Sequence, residues 1–128
     1  QVVQHDAKIC TNHFQILTEE NRYRMDDSLR RFSEMEKKKE TINHPFHAFK
    51  MMNDMNGGVF STNYGAWSGT IHTALYDVKN MQAGYAIGGN RLPYIIHFND
   101  WLQGKQLNVK KINGKLQTKI PFANMFKL

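Results

Sequence analysis

Residues 70–87 read TIHTALYDVKNMQAGYAI, and this stretch decides the fold. Two runs of residues typical of strands, 70–76 and 81–87, lie on either side of the polar stretch Asp77-Val78-Lys79-Asn80. Such a short connection joins neighbouring strands in antiparallel fashion, because it reverses the chain direction within a few residues. The stretch therefore predicts a β-hairpin that closes at Gly88-Gly89-Asn90.

Two regions farther along the chain also have strand character. The apolar run Tyr94-Ile95-Ile96-His97-Phe98 predicts a third strand. Residues 107–111 and 116–120 then alternate in polarity on either side of Asn113-Gly114. An Asn-Gly pair between alternating segments favours a two-residue turn, in which both residues adopt positive φ angles. We therefore predict a second hairpin across this turn.

A first amphipathic helix is predicted ahead of the sheet, from about Asp27 to Lys39. Leu29, Phe32 and Met35 recur every three residues within it, which indicates one apolar face. Carboxylates lie at its start and lysines at its end, as the helix dipole favours.

A second helix is predicted to begin near Asn43-His44-Pro45, where Asn43 can cap the helix and Pro45 lies in the first turn. It should end at Asn56-Gly57-Gly58. Its apolar face would be a core stripe made of Phe46, Phe49, Met52 and Met55. Two helices followed by antiparallel hairpins place the chain in the α+β class.

The size and charge of the chain limit its function. At 128 residues it is a single domain, long enough to bury about two thirds of its unfolded surface. The apolar runs are far shorter than the roughly 20 residues that span a bilayer, so no membrane partner is expected. The net charge is +6, but its lysines are poorly clustered, and Lys37-Lys38-Lys39 lies among glutamates. We therefore expect no nucleic-acid partner.

Cysteine content points to the compartment. Cys10 is the one cysteine of the sequence, so no internal disulfide can form, which fits a reducing compartment and a cytoplasmic location. The segment Ala7 to Phe14 is typical of a strand running into a loop, with Cys10 as a small buried strand residue and Asn12 at the strand end. Taken alone, Asn12 is a turn asparagine that satisfies its own backbone.

No self-contained catalytic or metal-binding constellation is evident. His44 and His47 have a helical spacing compatible with metal binding, but no carboxylate or thiol accompanies them, and surface histidines explain them more simply. Cys10 and His13 are three residues apart in a segment predicted to be extended, which puts them on opposite faces, about 10 Å apart. We expect no cofactor.

Three stretches, in order, resemble the later motifs of one enzyme family. They are Thr11-Asn12-His13-Phe14, the helix Asp27-Ser28-Leu29-Arg30-Arg31-Phe32, and the run from Trp67 to Asp77. The chain is similar, from about Cys10 to Leu102, to the choloylglycine hydrolase, penicillin V acylase and acyl-CoA:6-aminopenicillanic acid acyltransferase family. The resemblance implies an N-terminal-nucleophile hydrolase and an αββα sandwich.

The resemblance also implies site residues. In that family a cysteine at the new N-terminus acts as nucleophile through its sulfur and as base through its α-amino group. Asn12 matches the asparagine whose side-chain amide helps to hold the tetrahedral oxyanion, and Arg31 matches the arginine ahead of a phenylalanine on the following helix. A guanidinium near a cysteine favours the thiolate. Arg30 takes this role if the register shifts by one residue.

The chain departs from the family pattern at its start. Family members begin their mature chain with cysteine, whereas this sequence begins with Gln1, and Cys10 lies inside the later motif. We therefore expect the C-terminal part of an amidase or acyltransferase that cleaves linear, non-peptide amides through a thioester. It should be inactive alone, and it should associate with the missing N-terminal half or form a homo-oligomer. The alternative is a non-catalytic binding module that keeps the fold.

Overall fold

The computed structural model describes residues 8–21, 26–66, 68–107 and 109–125. Short 3-10 turns separate several of its main elements. The helices and strands, in chain order, are α1 (Asp26–Lys38), α2 (Pro45–Asn53), β1 (His72–Asp77), β2 (Gln82–Ile87), β3 (Tyr94–His97) and α3 (Phe98–Leu102).

The predicted hairpin is confirmed, and the fold is α+β. β1 pairs antiparallel with β2, and β2 pairs antiparallel with β3, which gives a sheet of order β1-β2-β3. Helix α2 packs against β1 and buries Phe49, which is 3% exposed. Across residues 8–125, apart from the few that are not described, this is the single sheet, so the second sheet of an αββα sandwich remains a prediction.

Helix α1 forms where the sequence predicts it, but its buried face differs. Asp26 and Asp27 occupy its first turn and Lys37 and Lys38 its last, in the arrangement that the helix dipole favours. Its buried residues are Ser28 and Met35, which are seven positions apart and therefore share a face. Leu29, predicted to face the core, is 53% exposed.

Helix α2 begins one residue later than the predicted cap. His44, rather than Asn43, caps it, since its Nδ1 accepts a hydrogen bond from the backbone N–H of Phe46 at 3.1 Å. Pro45 follows at the first helical position, where its missing N–H costs nothing. The apolar stripe is only partly core, because Phe46 and Met52 are each 38% exposed.

The end of α2 is fastened to the sheet by Asn53, which is 2% exposed. Its Nδ2 donates to the Thr73 hydroxyl of β1 at 3.0 Å and to the Gly88 carbonyl at 2.9 Å. Its Oδ1 accepts from the backbone N–H of Arg91 at 2.7 Å, and its backbone carbonyl accepts from the backbone N–H of Asn90 at 2.7 Å. This one side chain therefore joins α2, β1 and the loop after β2.

The predicted second hairpin is wrong. Neither Asn113 nor Gly114 has a positive φ angle, and no strand is present in residues 105–120, leaving aside Asn108, which lies outside the described residues. The segment instead packs against the end of β2. A Cβ atom on Gly114 would lie 2.4 Å from the Ile87 side chain, and Leu116 exchanges two hydrogen bonds with the Asn124 side chain. These contacts replace the strand pairing that alternation alone suggests.

The predicted opening strand is also wrong. Residues 8–14 contain no strand, and Ala7 lies outside the described residues. The Asn21 side chain accepts from the Phe14 backbone N–H at 2.6 Å and donates to the Phe14 carbonyl at 2.9 Å. This pair of bonds closes residues 14–21 into a loop, so the segment is held by side chains rather than by a neighbouring strand.

A closed loop before β1 depends on a glycine. Tyr64 is 5% exposed, and its hydroxyl donates to the Thr70 carbonyl at 2.7 Å. The backbone N–H of Thr70 donates to the Ser61 carbonyl at 2.7 Å, so the loop closes on the buried ring. A Cβ atom on Gly69 would lie 2.2 Å from that ring. Only a residue without a Cβ atom fits there.

We expect Gly69→Ala to destabilise the protein by about 1–3 kcal/mol, because the ring must move away from the added methyl group. Urea unfolding of the parent and variant chains measures this loss. Gly65→Ala is the matched control, since its Cβ atom would meet the nearest side chain at 3.6 Å, an ordinary contact. Equal unfolding midpoints for both variants would contradict the role of close packing.

Candidate functional site

The three stretches that carry the family resemblance meet at one open cleft of about 830 Å³. The loop before α1, the first turns of α1 and the loop before β1 each provide part of its wall. Its lining residues are Asn12, Asp26, Asp27, Ser28, Arg30, Arg31, Asn63, Ala66, Ser68 and Gly69. Trp67, which begins the third stretch, lies outside the described residues.

The two predicted site residues are directly bonded. Arg31 donates from Nη2 to Oδ1 of Asn12 at 2.6 Å. Because this bond assigns the amide oxygen, it also fixes where the amide nitrogen points. In the described part of the chain, Nδ2 of Asn12 donates to no protein group. Asn12 is exposed at the cleft, so this N–H₂ group is accessible to a bound ligand.

Asp27 holds both arginines of the helix. Its Oδ2 accepts from Nε of Arg31 at 2.7 Å, and its Oδ1 accepts from Nη2 of Arg30 at 2.8 Å. Partial burial raises the pKa of Asp27, but the hydrogen bonds and charges of Arg30 and Arg31 outweigh it, so this pKa lies below its ordinary value. Asp27 therefore stays ionised at neutral pH and keeps Arg31 aligned toward Asn12.

His13 fastens the Asn12 segment to α1. Its Nδ1 lies 2.9 Å from the Thr11 hydroxyl and 3.0 Å from the Ser28 hydroxyl, and Ser28 is buried on α1. Its ring also meets Phe32 edge to face, with ring centroids 5.5 Å apart. Asn12 is consequently held on both sides, by its own bond to Arg31 and by the anchored neighbour.

The other two candidate residues from the sequence, Arg30 and Cys10, differ in whether they line the cleft. Arg30, the alternative to Arg31, also lines the cleft, but its guanidinium binds Asp27 and the carbonyl of Gly58. Cys10 is exposed rather than buried, and it is absent from the residues that line the cleft. Among the residues whose positions are known, no group of three or more potential metal ligands is found.

Sequence reasoning missed Asp27 and Ser28 as parts of the site. The four-residue spacing of Asp27 and Arg31 on a helix was available as a signal, because side chains at i and i+4 are neighbours. The bond between Ser28 and His13 spans 15 positions and left no comparable local signal.

The chain belongs to the acyl-coenzyme A:6-aminopenicillanic acid acyl-transferase family, whose family model matches residues 1–92. This is an acyltransferase family of the Ntn-hydrolase type. Comparisons with curated proteins and with solved structures gave no match. In the portion of the chain that the structure covers, no helix has both the length and the apolar character to cross a membrane.

Proposed function

We propose that this chain supplies the oxyanion-binding part of a cysteine N-terminal-nucleophile amidase or acyltransferase. The observation that carries the proposal is the bond between Arg31 and Oδ1 of Asn12 at 2.6 Å, which leaves the amide N–H₂ of Asn12 available at the cleft. Membership of the acyl-transferase family supports it. A preorganised amide donor stabilises the charge that develops on a carbonyl oxygen during acyl transfer.

In the proposed reaction a cysteine sulfur attacks the amide carbon, and the α-amino group of that cysteine takes up the thiol proton. The carbonyl oxygen becomes an oxyanion, to which Asn12 donates from Nδ2. Collapse of this intermediate breaks the C–N bond, and the leaving amine receives the proton. The resulting thioester is then cleaved by water or by a second amine. Arg31 acts as the positioning residue for Asn12.

The proposed nucleophile lies outside this chain. Cys10 is exposed and does not line the cleft, and it has no ion pair or hydrogen bond to a base among the described residues. The proposed partner is therefore a polypeptide that carries an N-terminal cysteine and covers the Asn12 cleft. The proposed substrates are small linear amides or acyl donors, which follow from the family resemblance.

The chain alone and the chain together with its N-terminal partner should be compared on a chromogenic linear N-acyl amide. We expect no turnover by the chain alone, turnover by the complex, and the same rate when Cys10→Ala is introduced. Turnover by the chain alone that Cys10→Ala abolishes would show that the nucleophile is Cys10. A complex that binds the amide without cleaving it would favour a non-catalytic binding module.

A further inference from the structure

The net charge of the protein lies entirely in its last part. Residues 1–100 contain eleven Lys and Arg and eleven Asp and Glu, so their formal charges cancel. Residues 101–128 contain six lysines and no carboxylate side chain. The whole excess of +6 therefore belongs to residues 101–128, of which the stretch around Gly114 to Gln117 packs against the end of β2. Such an asymmetry indicates a surface for anions.

Part of this charge converges on a second cleft, of about 380 Å³. Its lining includes the three cations Arg91, Lys115 and Lys119, together with the amide of Gln117 and the hydroxyl of Thr118. No carboxylate belongs to this lining, and none of the three cations forms an ion pair with any residue that the structure describes. The cleft shares no lining residue with the one at Asn12.

The backbone that carries these cations is fixed in place. The N–H of Arg91 donates to Oδ1 of the buried Asn53 at 2.7 Å. Leu116, next to Lys115, is 8% exposed and exchanges hydrogen bonds of 2.8 and 3.1 Å with Asn124. The side chain of Gln117 accepts from the Gly89 N–H at 3.1 Å. The fold therefore holds like charges near one another. A bound anion would stabilise this arrangement.

An apolar cleft of about 320 Å³ adjoins this one. Arg91 lines both, and the aromatic rings of Tyr85 and Tyr94 line the second, together with Ile87. Lys111 adds a further cation to its lining. A ligand with an anionic group and an aromatic or apolar body would therefore find partners for both parts within two neighbouring clefts.

We propose that the cleft of Arg91, Lys115 and Lys119 binds the phosphate of a small organic phosphate whose organic part lies against Tyr85 and Tyr94. Phosphate oxygens accept charge-assisted hydrogen bonds from guanidinium and ammonium groups, the strongest class available at a surface. A small ligand is favoured over a nucleic acid, because the three exposed cations line a single open cleft of about 380 Å³ whose neighbouring cleft is lined by Tyr85 and Tyr94.

Isothermal titration calorimetry of the 128-residue chain at low salt tests the proposal, with ADP and inorganic diphosphate as probes. We expect both probes to bind, and ADP to bind at least about tenfold more tightly because its base and sugar contact the apolar cleft. Arg91→Gln, Lys115→Gln and Lys119→Gln should each weaken ADP binding by about tenfold. Thermal unfolding checks that each variant remains folded.

Lys110→Gln is the matched control, since Lys110 lies in the same segment and is exposed but lines neither cleft. It should leave ADP binding unchanged. Equal losses in Lys110→Gln and the cleft variants would overturn the proposal in favour of diffuse surface charge. Equal affinity for diphosphate and ADP would contradict a contact between the organic part and the apolar cleft. A single-stranded RNA that competed with ADP and bound more tightly would contradict a small organic phosphate as the ligand. None of these outcomes depends on catalysis at Asn12.

Discussion

Asn12→Ala should lower the turnover of the proposed complex with the N-terminal partner by about 100- to 1,000-fold, the usual cost of removing one oxyanion donor. The bond from Arg31 fixes the amide oxygen of Asn12, so the amide nitrogen is the atom that would donate to the oxyanion in the proposed reaction. The effect should fall on kcat, because the donor matters most when charge develops on the carbonyl oxygen. Steady-state kinetics on a linear N-acyl amide gives kcat and KM separately.

Two further variants make this result specific. Asn12→Asp keeps an oxygen for the bond to Arg31 but replaces the N–H₂ donor with an anion, and it should lose at least as much activity as Asn12→Ala. Asn56→Ala removes an exposed amide that does not line the cleft, and it should leave kcat unchanged. Full activity in Asn12→Asp would contradict the donor role of Nδ2.

Asn53→Leu should destabilise the fold by about 3 kcal/mol or more, because it leaves the buried carbonyl of Gly88 and the N–H of Arg91 without partners. A loss of this size is a large fraction of the stability of a typical domain, about 5–15 kcal/mol. Urea unfolding followed by circular dichroism measures it. The slope of the transition shows whether the variant still unfolds in one step.

Asn56→Leu provides the comparison for this substitution. It makes the same chemical change at an exposed position whose side chain has no hydrogen bond to the described residues, and it should shift the free energy of unfolding by less than about 0.5 kcal/mol. If Asn53→Leu were as mild as Asn56→Leu, the hydrogen bonds of Asn53 would not be what fastens α2 to the sheet.

The elements with strong local signals were predictable from sequence. The hairpin of β1 and β2 has strand-forming residues on both sides of a short polar turn, and α1 has a three-residue apolar repeat with charges that match its dipole. Both signals arise from residues near one another in the chain. The ends of α2 were less predictable, since His44 and Asn43 can each serve as a cap and only the packing decides between them.

The predicted hairpin across Asn113-Gly114 does not form, because contacts with residues far away in the sequence hold this segment instead. Its polar–apolar alternation is real, but Leu116 is 8% exposed and its backbone bonds the Asn124 side chain rather than a partner strand. Gly114 serves close packing on Ile87 instead of a positive φ angle. An Asn-Gly pair alone does not distinguish these two uses of glycine.

The candidate site was reached by resemblance more than by local pattern. Asn12 and Arg31 are 19 positions apart, and composition gave no reason to join them, yet they share a hydrogen bond. The bond between Asp27 and Arg31 follows from helix geometry and was predictable in principle. The anchoring of His13 by Ser28 depends on how the opening segment folds back, which no periodicity encodes.

Two glycines at the end of β2 contact the C-terminal segment at Lys115 and Gln117. Gly88, with φ of +80°, lies where a Cβ atom would be 2.7 Å from the Lys115 carbonyl, and Gly89 binds Gln117 through its N–H. Both glycines belong to the part that matches the family, residues 1–92, whereas Lys115 and Gln117 lie beyond it. Because the backbone at Gly88 approaches the Lys115 carbonyl too closely for a side chain, any substitution there would push the C-terminal segment away from the end of the sheet.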